Sequence, residues 1–407
     1  MDQIFIQIAS YRDNQLTPTI KDCLKKAKYP DRLRFGICWQ KDDTESFEFL
    51  NDSRFSTIIV PYEKSKGACW ARHLIQHTWN NEKYVLMLDS HHRFAKDWDE
   101  TIIRLLENCD SKKPILSSYP PSFNPATYEE GKEIVEDPWQ MHADKFHNDG
   151  ILTFTPSVMP NWKSLTKPVP ARFMSAGMVF TYGEFIKEVP YDPHLYFTGE
   201  EINATVRAWT HGWDIFHPHC CFIWHEYTRN GSPKHWDDHT SKSAIIPWHD
   251  RDRACRQRVV KMLREEIDLG EYGLGKTRTI KQYENWAGVD FKKMIIHPDA
   301  LRCSPPGNIT GDEWKALMEK EHVINVRWKP EDIEITDDCT FWFFGIEDKD
   351  GHLCIRKDLT PIENPGILKK SVCEYTIKFK TCYKPHVWII WPHSKSQGWL
   401  KKYTYTL

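Results

Sequence analysis

The chain has 407 residues, 40% hydrophobic and 28% charged, which excludes wholesale disorder. It is also too long for one core, because cores stop growing near about 250–300 residues. Its 55 Lys and Arg nearly balance 57 Asp and Glu, so no overall basic field exists to hold nucleic acid or an anionic membrane.

The N-terminal stretch Ile4-Phe5-Ile6-Gln7-Ile8-Ala9 alternates and predicts a strand over residues 3–9. It lacks the basic region and the longer apolar run of a signal peptide. Thr17 before Pro18 predicts a capped helix with Ile20, Cys23 and Leu24 on its apolar side. Strands are expected at Leu33–Trp39 and Ser56–Val60, and a helix opened by Gly67 with Trp70, Leu74 and Ile75 on one side. Tyr84–Leu88 is a continuous apolar run of strand length, the pattern of a fully buried strand. Asp97 is expected to cap the next helix, and Ile115–Tyr119 forms another strand. Strands alternating with helices predict a parallel α/β sheet, in which ligands bind at the carboxyl ends of strands.

Residues 120–170 show little periodicity and read as a long functional loop region with a hairpin near Leu152–Thr155. Strands Phe173–Tyr182 and Ile215–Trp224 flank a helix from Glu200 to His211 that Gly212 stops. Asp250 is expected to cap a long helix reaching about Ile267. Beyond a turn-rich stretch the character changes to short β runs from Val323 onward, separated by turns such as Lys349-Asp350-Gly351. The boundary falls near residue 310: an α/β domain over 1–310 and a small sandwich-like β domain over 311–407.

No run of about 18 apolar residues occurs, so no spanning helix is expected. Twelve scattered cysteines without a C-x-x-C pair fit a reducing cytoplasm better than a disulfide framework.

The chemistry gathers at strand ends. The buried strand Tyr84–Leu88 runs into Asp89-Ser90-His91. In an extended chain Asp89 and His91 point the same way, about 6–7 Å apart, and can share one divalent cation. Mixed oxygen and nitrogen ligands suit Mn²⁺ better than Mg²⁺ or Ca²⁺. His225, at the end of a later strand, is the candidate third ligand. Glu200 and Glu201 begin a helix, where the dipole alone favours glutamate; alternatively one carboxylate faces the cleft and bonds an acceptor hydroxyl. Arg72 could bind phosphate or nucleobase, Arg12 and Asp13 follow the first strand where a base would lie, and Lys276 and Arg278 could clamp a diphosphate. Gly270, Gly273 and Gly275 do not form a dinucleotide fingerprint, because no strand precedes them in a βαβ unit. P-loop, nucleophile-elbow and zincin motifs do not occur.

Several segments together resemble the GlcNAc-transferase family. They are Ile6–Asp13, Gly36–Gln40, Leu88–Phe94, Ser175-Ala176-Gly177, Phe197–Glu201, His225-Glu226-Tyr227 and Tyr272–Thr279, in that order over roughly residues 3–290. Known members are cytosolic and place α-linked GlcNAc on hydroxyproline of a ubiquitin-ligase subunit. A more distant similarity is to mucin-type polypeptide GalNAc-transferases, which also use an Asp-Ser-His triplet. The resemblance implies a GT-A fold, a UDP-sugar donor, a divalent metal and retention of configuration. It implies metal ligation by Asp89, His91 and His225, and a match of Arg72 to an arginine on the helix before the triplet strand. Ala9, Tyr11, Arg12 and Gln40 would line the uracil and ribose pocket, and Glu200 or Glu201 would face donor and acceptor. Residues 311–407 lie outside it.

Three readings follow. The first is a metal-dependent retaining glycosyltransferase moving a sugar, GlcNAc by resemblance, from a UDP-sugar to a protein or glycan hydroxyl, with residues 226–240 closing over the donor. The second is a metal-dependent nucleotide or phosphodiester hydrolase, which would want more carboxylates at strand ends. The third is a non-enzymatic carbohydrate binder using the β domain, where Trp391 could stack on sugar while Trp342 and Trp388 suit the sandwich core.

Overall fold

The computed structural model describes residues 2–128, 134, 137–229, 231–317, 320–360 and 373–407. They divide into two compact units, Met1–Ile309 and Thr310–Leu407.

The first unit begins β1 (Ile4–Tyr11), α1 (Leu16–Lys26), β2 (Leu33–Lys41), β3 (Phe55–Pro61), α2 (Ala68–Gln76) and β4 (Tyr84–Leu88). Then come β5 (His92–Phe94), α3 (Trp98–Glu107), β6 (Pro114–Ser117), β7 (Trp139–Phe146), β8 (Leu152–Val158), β9 (Val169–Pro170) and β10 (Met178–Tyr182). They are followed by α4 (Phe185–Glu188), α5 (Glu200–Thr210), β11 (Asp214–His217), β12 (Ile223–His225), α6 (His235–Asp238), α7 (Trp248–Leu263) and α8 (Ile280–Ala287). A short hairpin, β13 (Val289–Asp290) with β14 (Ile295–Ile296), and α9 (Pro298–Leu301) complete it.

The main sheet has the order β3-β2-β1-β4-β10-β6-β11-β9. Its first four strands are parallel, as the alternating pattern suggests, but β10 runs antiparallel to both β4 and β6, so the sheet is mixed. Ile4, Ile6 and Ile8 of β1 face a core shared with α1 and α3, while Phe5 faces Ala71 and Ile75 of α2. Burial on both faces explains why β4 has no polar residue. After β1 the chain moves outward to β2 and β3, then returns to place β4 on the other side of β1. That reversal leaves a crevice at the carboxyl ends of β1 and β4.

Several local expectations are corrected. Helix α1 starts before Thr17, with Gln15 at the cap position and no side-chain cap. Asp97 precedes α3 in a left-handed conformation, φ 57°, without a side-chain cap bond. Helix α7 begins at Trp248, so Asp250 lies in its first turn. The run Phe173–Tyr182 is a strand only from Met178, and Ile215–Trp224 splits into β11 and β12 around Pro218. Among the described residues no helix is long and apolar enough to cross a membrane.

The second unit holds α10 (Gly311–Ala316), β15 (Lys320–Trp328), β16 (Cys339–Glu347), β17 (Leu353–Leu359), β18 (Cys373–Thr381), β19 (Val387–Ser394), β20 (Gly398–Trp399) and β21 (Tyr403–Thr406). Strands β15 and β18 pair with each other; β17, β16, β19, β20 and β21 form the other sheet. Trp342, Phe344, Trp388 and Ile390 from one sheet share a core with Val326, Trp328, Ile377 and Phe379 from the other. Trp391 is half-buried on the opposite face and packs 4.5 Å from the Trp399 ring.

Candidate functional site

Asp89 and His91 lie just beyond β4, at the crevice beside β1. Strand β5 follows directly and pairs antiparallel with β12, setting His225 opposite His92. The Glu226 amide also donates to His91 O at 3.1 Å. This small sheet brings a distant histidine to the strand end: ligand atoms of Asp89, His91 and His225 all lie within 4.8 Å of one another.

The donor set fits a divalent cation. His91 Nδ1 lies 2.7 Å from Asp13 Oδ2, which leaves Nε2 as the nitrogen open to a ligand. His225 is buried with no hydrogen-bond partner on either ring nitrogen, although Nε2 comes within 3.3 Å of Asp89 Oδ2. Burial disfavours the charged imidazolium and lowers the His225 pKa, keeping the ring in its ligating form. Asp89 Oδ1 accepts from Arg72 Nη2 at 2.7 Å. Burial works against the Asp89 charge, but the His225 contact and the Arg72 guanidinium together hold its carboxyl well below the usual range. Gly177 sits opposite, where a Cβ would stand 3.2 Å from Asp89 Oδ2.

Helix α2 aims Arg72 inward because Gly67 opens it at φ 112°, a conformation suited to glycine. A Cβ there would also meet the Tyr196 ring at 2.7 Å. Buried Arg72 bridges Asp89 to the Glu200 carboxylate. Glu200 is therefore committed to Arg72. Burial raises its pKa and Arg72 opposes that rise. Its neighbour Glu201 is only partly buried and lines the cleft. Glu201 accepts from Tyr119 Oη at 2.6 Å and from the Ala176 amide at 3.1 Å. Burial pushes its pKa up to about 7 against those two bonds.

The cleft has a volume of about 650 Å³. Of the residues read from sequence it is lined by Ala9, Tyr11, Gln40, Arg72, Asp89, His91, Glu200, Glu201 and His225. Arg12 turns away, bonded to Asp238 at 2.9 Å and Asp42 at 3.0 Å, with its guanidinium over the Tyr62 ring. Asp13 is the partner of His91 rather than a base-side group.

Lys276 and Arg278 do not reach the cleft. The Gly275 and Thr277 amides bond Thr210, so this segment caps the far end of α5, away from Glu200. Arg278 pairs with Asp214 at 2.7 Å and lies over Trp209, and Lys276 is exposed. Besides Arg72 on α2, the lysine and arginine side chains that line the cleft among the described residues are Arg229 and Lys234, from the segment after β12. Arg229 Nη2 donates to Tyr11 O at 3.0 Å. Asp238 of α6 accepts from Tyr11 Oη at 2.8 Å, tying this segment to the end of β1.

Sequence reasoning missed Tyr119 as a partner of Glu201. Its position as the last residue of an expected strand was the available signal. It also missed Phe154 at the cleft wall, which carries no local signature; the exposed Phe197, which opens the resembling segment Phe197–Glu201, lines the same cleft.

The family model described as Glycosyltransferase (GlcNAc) matches residues 3–53 and 44–293. No match was found among curated proteins. Among solved structures, the chain is similar to GalNAc-T7 with UDP, GalNAc and Mn²⁺, at 14% identity and a TM-score of 0.44 over 70% of this chain. It spans 56% of that chain's length. It is also similar to S. aureus TarS 1-349 in complex with UDP-GlcNAc, at 13% identity and a TM-score of 0.40, over 70% of each chain. The family match covers the sheet, the crevice and every residue of the strand-end triplet, and on that basis the chain belongs to the glycosyltransferase (GlcNAc) family.

Proposed function

We propose that this glycosyltransferase is metal-dependent and retaining, and transfers GlcNAc from UDP-GlcNAc to a hydroxyl of a protein or glycan acceptor. The observation that carries the reading is the convergence of Asp89, His91 and His225 at the switch point of the sheet. These three side chains would hold Mn²⁺ or a similar divalent ion, which when bound supplies positive charge against the departing diphosphate. The family description supports GlcNAc as the donor sugar, and the resemblance supports retention.

The protein's own groups supply the rest. Asp13 fixes the His91 tautomer, and Arg72 fixes Asp89. Ala9, Tyr11 and Gln40 form the floor offered to the uridine. Arg229 and Lys234, rather than Lys276 and Arg278, are placed to meet phosphate oxygens. Residues 226–240 close over the donor and exclude water. Glu201 is assigned to the acceptor, because Glu200 is consumed by Arg72. Its elevated pKa suits it to hold or take the acceptor hydroxyl proton near neutrality.

The hydrolase alternative asks for free carboxylates at the strand ends. Asp42 is instead paired with Arg12, and Glu200 with Arg72.

The test is calorimetric titration with UDP-GlcNAc, UDP-GalNAc, UDP-Glc and UDP-Gal, with Mn²⁺ or with chelator, beside Asp89→Ala. Mn²⁺-dependent binding of UDP-GlcNAc that Asp89→Ala abolishes supports the proposal. Preference for another donor replaces the sugar assignment, and absence of binding by all four overturns the reading.

A further inference from the structure

The apolar surface left uncovered in the first unit is not spread evenly. Among its described residues the large aromatics that stay exposed are Phe197, Tyr227 and Trp236, at 53%, 45% and 38%. All three line the cleft. Among the same residues no exposed large aliphatic side chain does so; Ile59 and Ile245, for example, lie outside the lining. The aliphatic groups that do border the cleft, Ile151, Leu152 and Ile202, are buried. Beside its polar groups, the cleft therefore offers a ligand flat ring surface. Exposed rings gathered in one concavity mark a binding site.

The rings are fixed by their surroundings. Phe197 lies in the turn that opens α5, where its carbonyl accepts from the Glu200 amide at 3.2 Å, and the same turn leads into Glu201. The Trp236 ring, on α6, meets Phe197 edge to face with centroids 5.9 Å apart. At the triplet end, the Tyr227 ring lies 4.3 Å from the His225 ring. The Tyr227 hydroxyl donates to Pro120 O at 2.7 Å, so the residue presents chiefly its ring. The charges around these rings are largely engaged. Arg72 is paired with Asp89 and Glu200, and Arg229 and Lys234 are assigned to the diphosphate. Burial holds the His235 pKa down at about 3, so that ring is neutral. Glu201 keeps one oxygen on Tyr119 and the other on the Ala176 amide, and each oxygen retains a lone pair for a ligand hydroxyl.

We propose that the acceptor hydroxyl belongs to a neutral sugar ring, whose flat face stacks on this aromatic wall. The inference rests on the transferase reading and names the acceptor class for it. A pyranose gathers C–H groups on one face, and their slight positive charge suits the negative face of an aromatic ring. Its hydroxyls lie around the edge, where one can meet Glu201. A hydroxyl carried by a peptide would arrive with neighbouring side chains, which want aliphatic pockets that the cleft does not expose. An anionic acceptor would want cations, and those of the cleft already have partners or a place at the diphosphate.

The experiment uses the full chain loaded with UDP and Mn²⁺, titrated by calorimetry with methyl glycosides and disaccharides of glucose, galactose, mannose and GlcNAc. Short neutral peptides containing serine, threonine or hydroxyproline are the comparison ligands, and UDP binding itself is measured in parallel. The expected result is binding of at least one sugar and of no peptide, weakened about tenfold by Phe197→Leu and by Trp236→Leu. Leucine keeps an apolar side chain and removes the flat ring, so Phe197→Tyr and Trp236→Phe should retain sugar binding. UDP affinity of the Phe197 variants should match that of wild type, which guards against misfolding. Equal sugar affinity in the leucine variants, peptide binding in place of sugar binding, or UDP binding without any sugar binding overturns the proposal and leaves the transferase reading standing. Absence of UDP binding, with or without sugar binding, removes that reading and the acceptor role with it.

Discussion

Asp13 Oδ2 stands 2.7 Å from His91 Nδ1, joining the loop after β1 to the loop after β4. The same oxygen accepts from Ser90 Oγ at 2.6 Å. Burial would raise the Asp13 carboxyl, but the His91 bond and the nearby Arg229 charge hold its pKa below the usual value. A buried carboxylate in this position sets which imidazole nitrogen is free.

Asp13→Asn preserves shape and removes the charge. Partners of this kind cost about 10–100-fold in metal affinity when mutated. Mn²⁺-dependent UDP binding should weaken by that factor, with little change in the circular dichroism spectrum. Unchanged affinity would show that the His91 tautomer does not matter.

Arg72→Met should destabilise the fold by about 3–5 kcal/mol, because Glu200 is left as an unpaired buried charge. Arg72→Met/Glu200→Gln should recover much of this loss. Urea denaturation of both variants checks the coupling; equal stability of the two would mean that Glu200 is not the cause.

Glu201 gives a pH signature. Its folded pKa of about 7 lies above the ordinary 4.5, so folding takes up a proton between those values. Stability should fall as pH rises through that window and level off above it. Glu201→Gln removes this slope, gaining roughly 2–3 kcal/mol relative to wild type between pH 4 and 8. Parallel stability–pH curves for the two proteins would contradict the assignment.

Arg278→Ala should leave donor affinity unchanged and cost no more than about 1 kcal/mol, since its partner Asp214 is partly exposed. Arg229→Ala should weaken UDP binding. The reverse pattern would restore the diphosphate clamp read from sequence.

UDP with Mn²⁺ should protect residues 226–240 from limited proteolysis, as Arg229 and Lys234 engage the ligand. Equal cleavage with and without ligand would remove the closure.

What was legible in the sequence follows from which signals are local. Tyr84–Leu88 is a continuous apolar run because both its faces are covered, so its bounds could be read directly. The ends of β1 and β4 could be placed together because α/β sheets bind ligands there. Caps at Thr17, Asp97 and Asp250 failed because such residues also serve turns and helix interiors, and one cap residue does not fix a boundary. Lys276 and Arg278 were misplaced because a glycine-rich turn does not say which end of a helix it packs against; the contact with Thr210 does. The choice between Glu200 and Glu201 depended on Arg72, 128 residues away.

The pairing of β5 with β12 also orders events in time. His92 Nδ1 contacts Trp224 O across 132 residues, and His225 comes to the triplet by the same pairing. As the chain leaves the ribosome, Asp89 and His91 are made well before their third companion, and domains fold as units once their segments are available. A nascent chain stopped short of β12 holds two ligands and cannot complete the set. A metal bound by this set, as proposed, would therefore report that folding has drawn the two halves of this unit together.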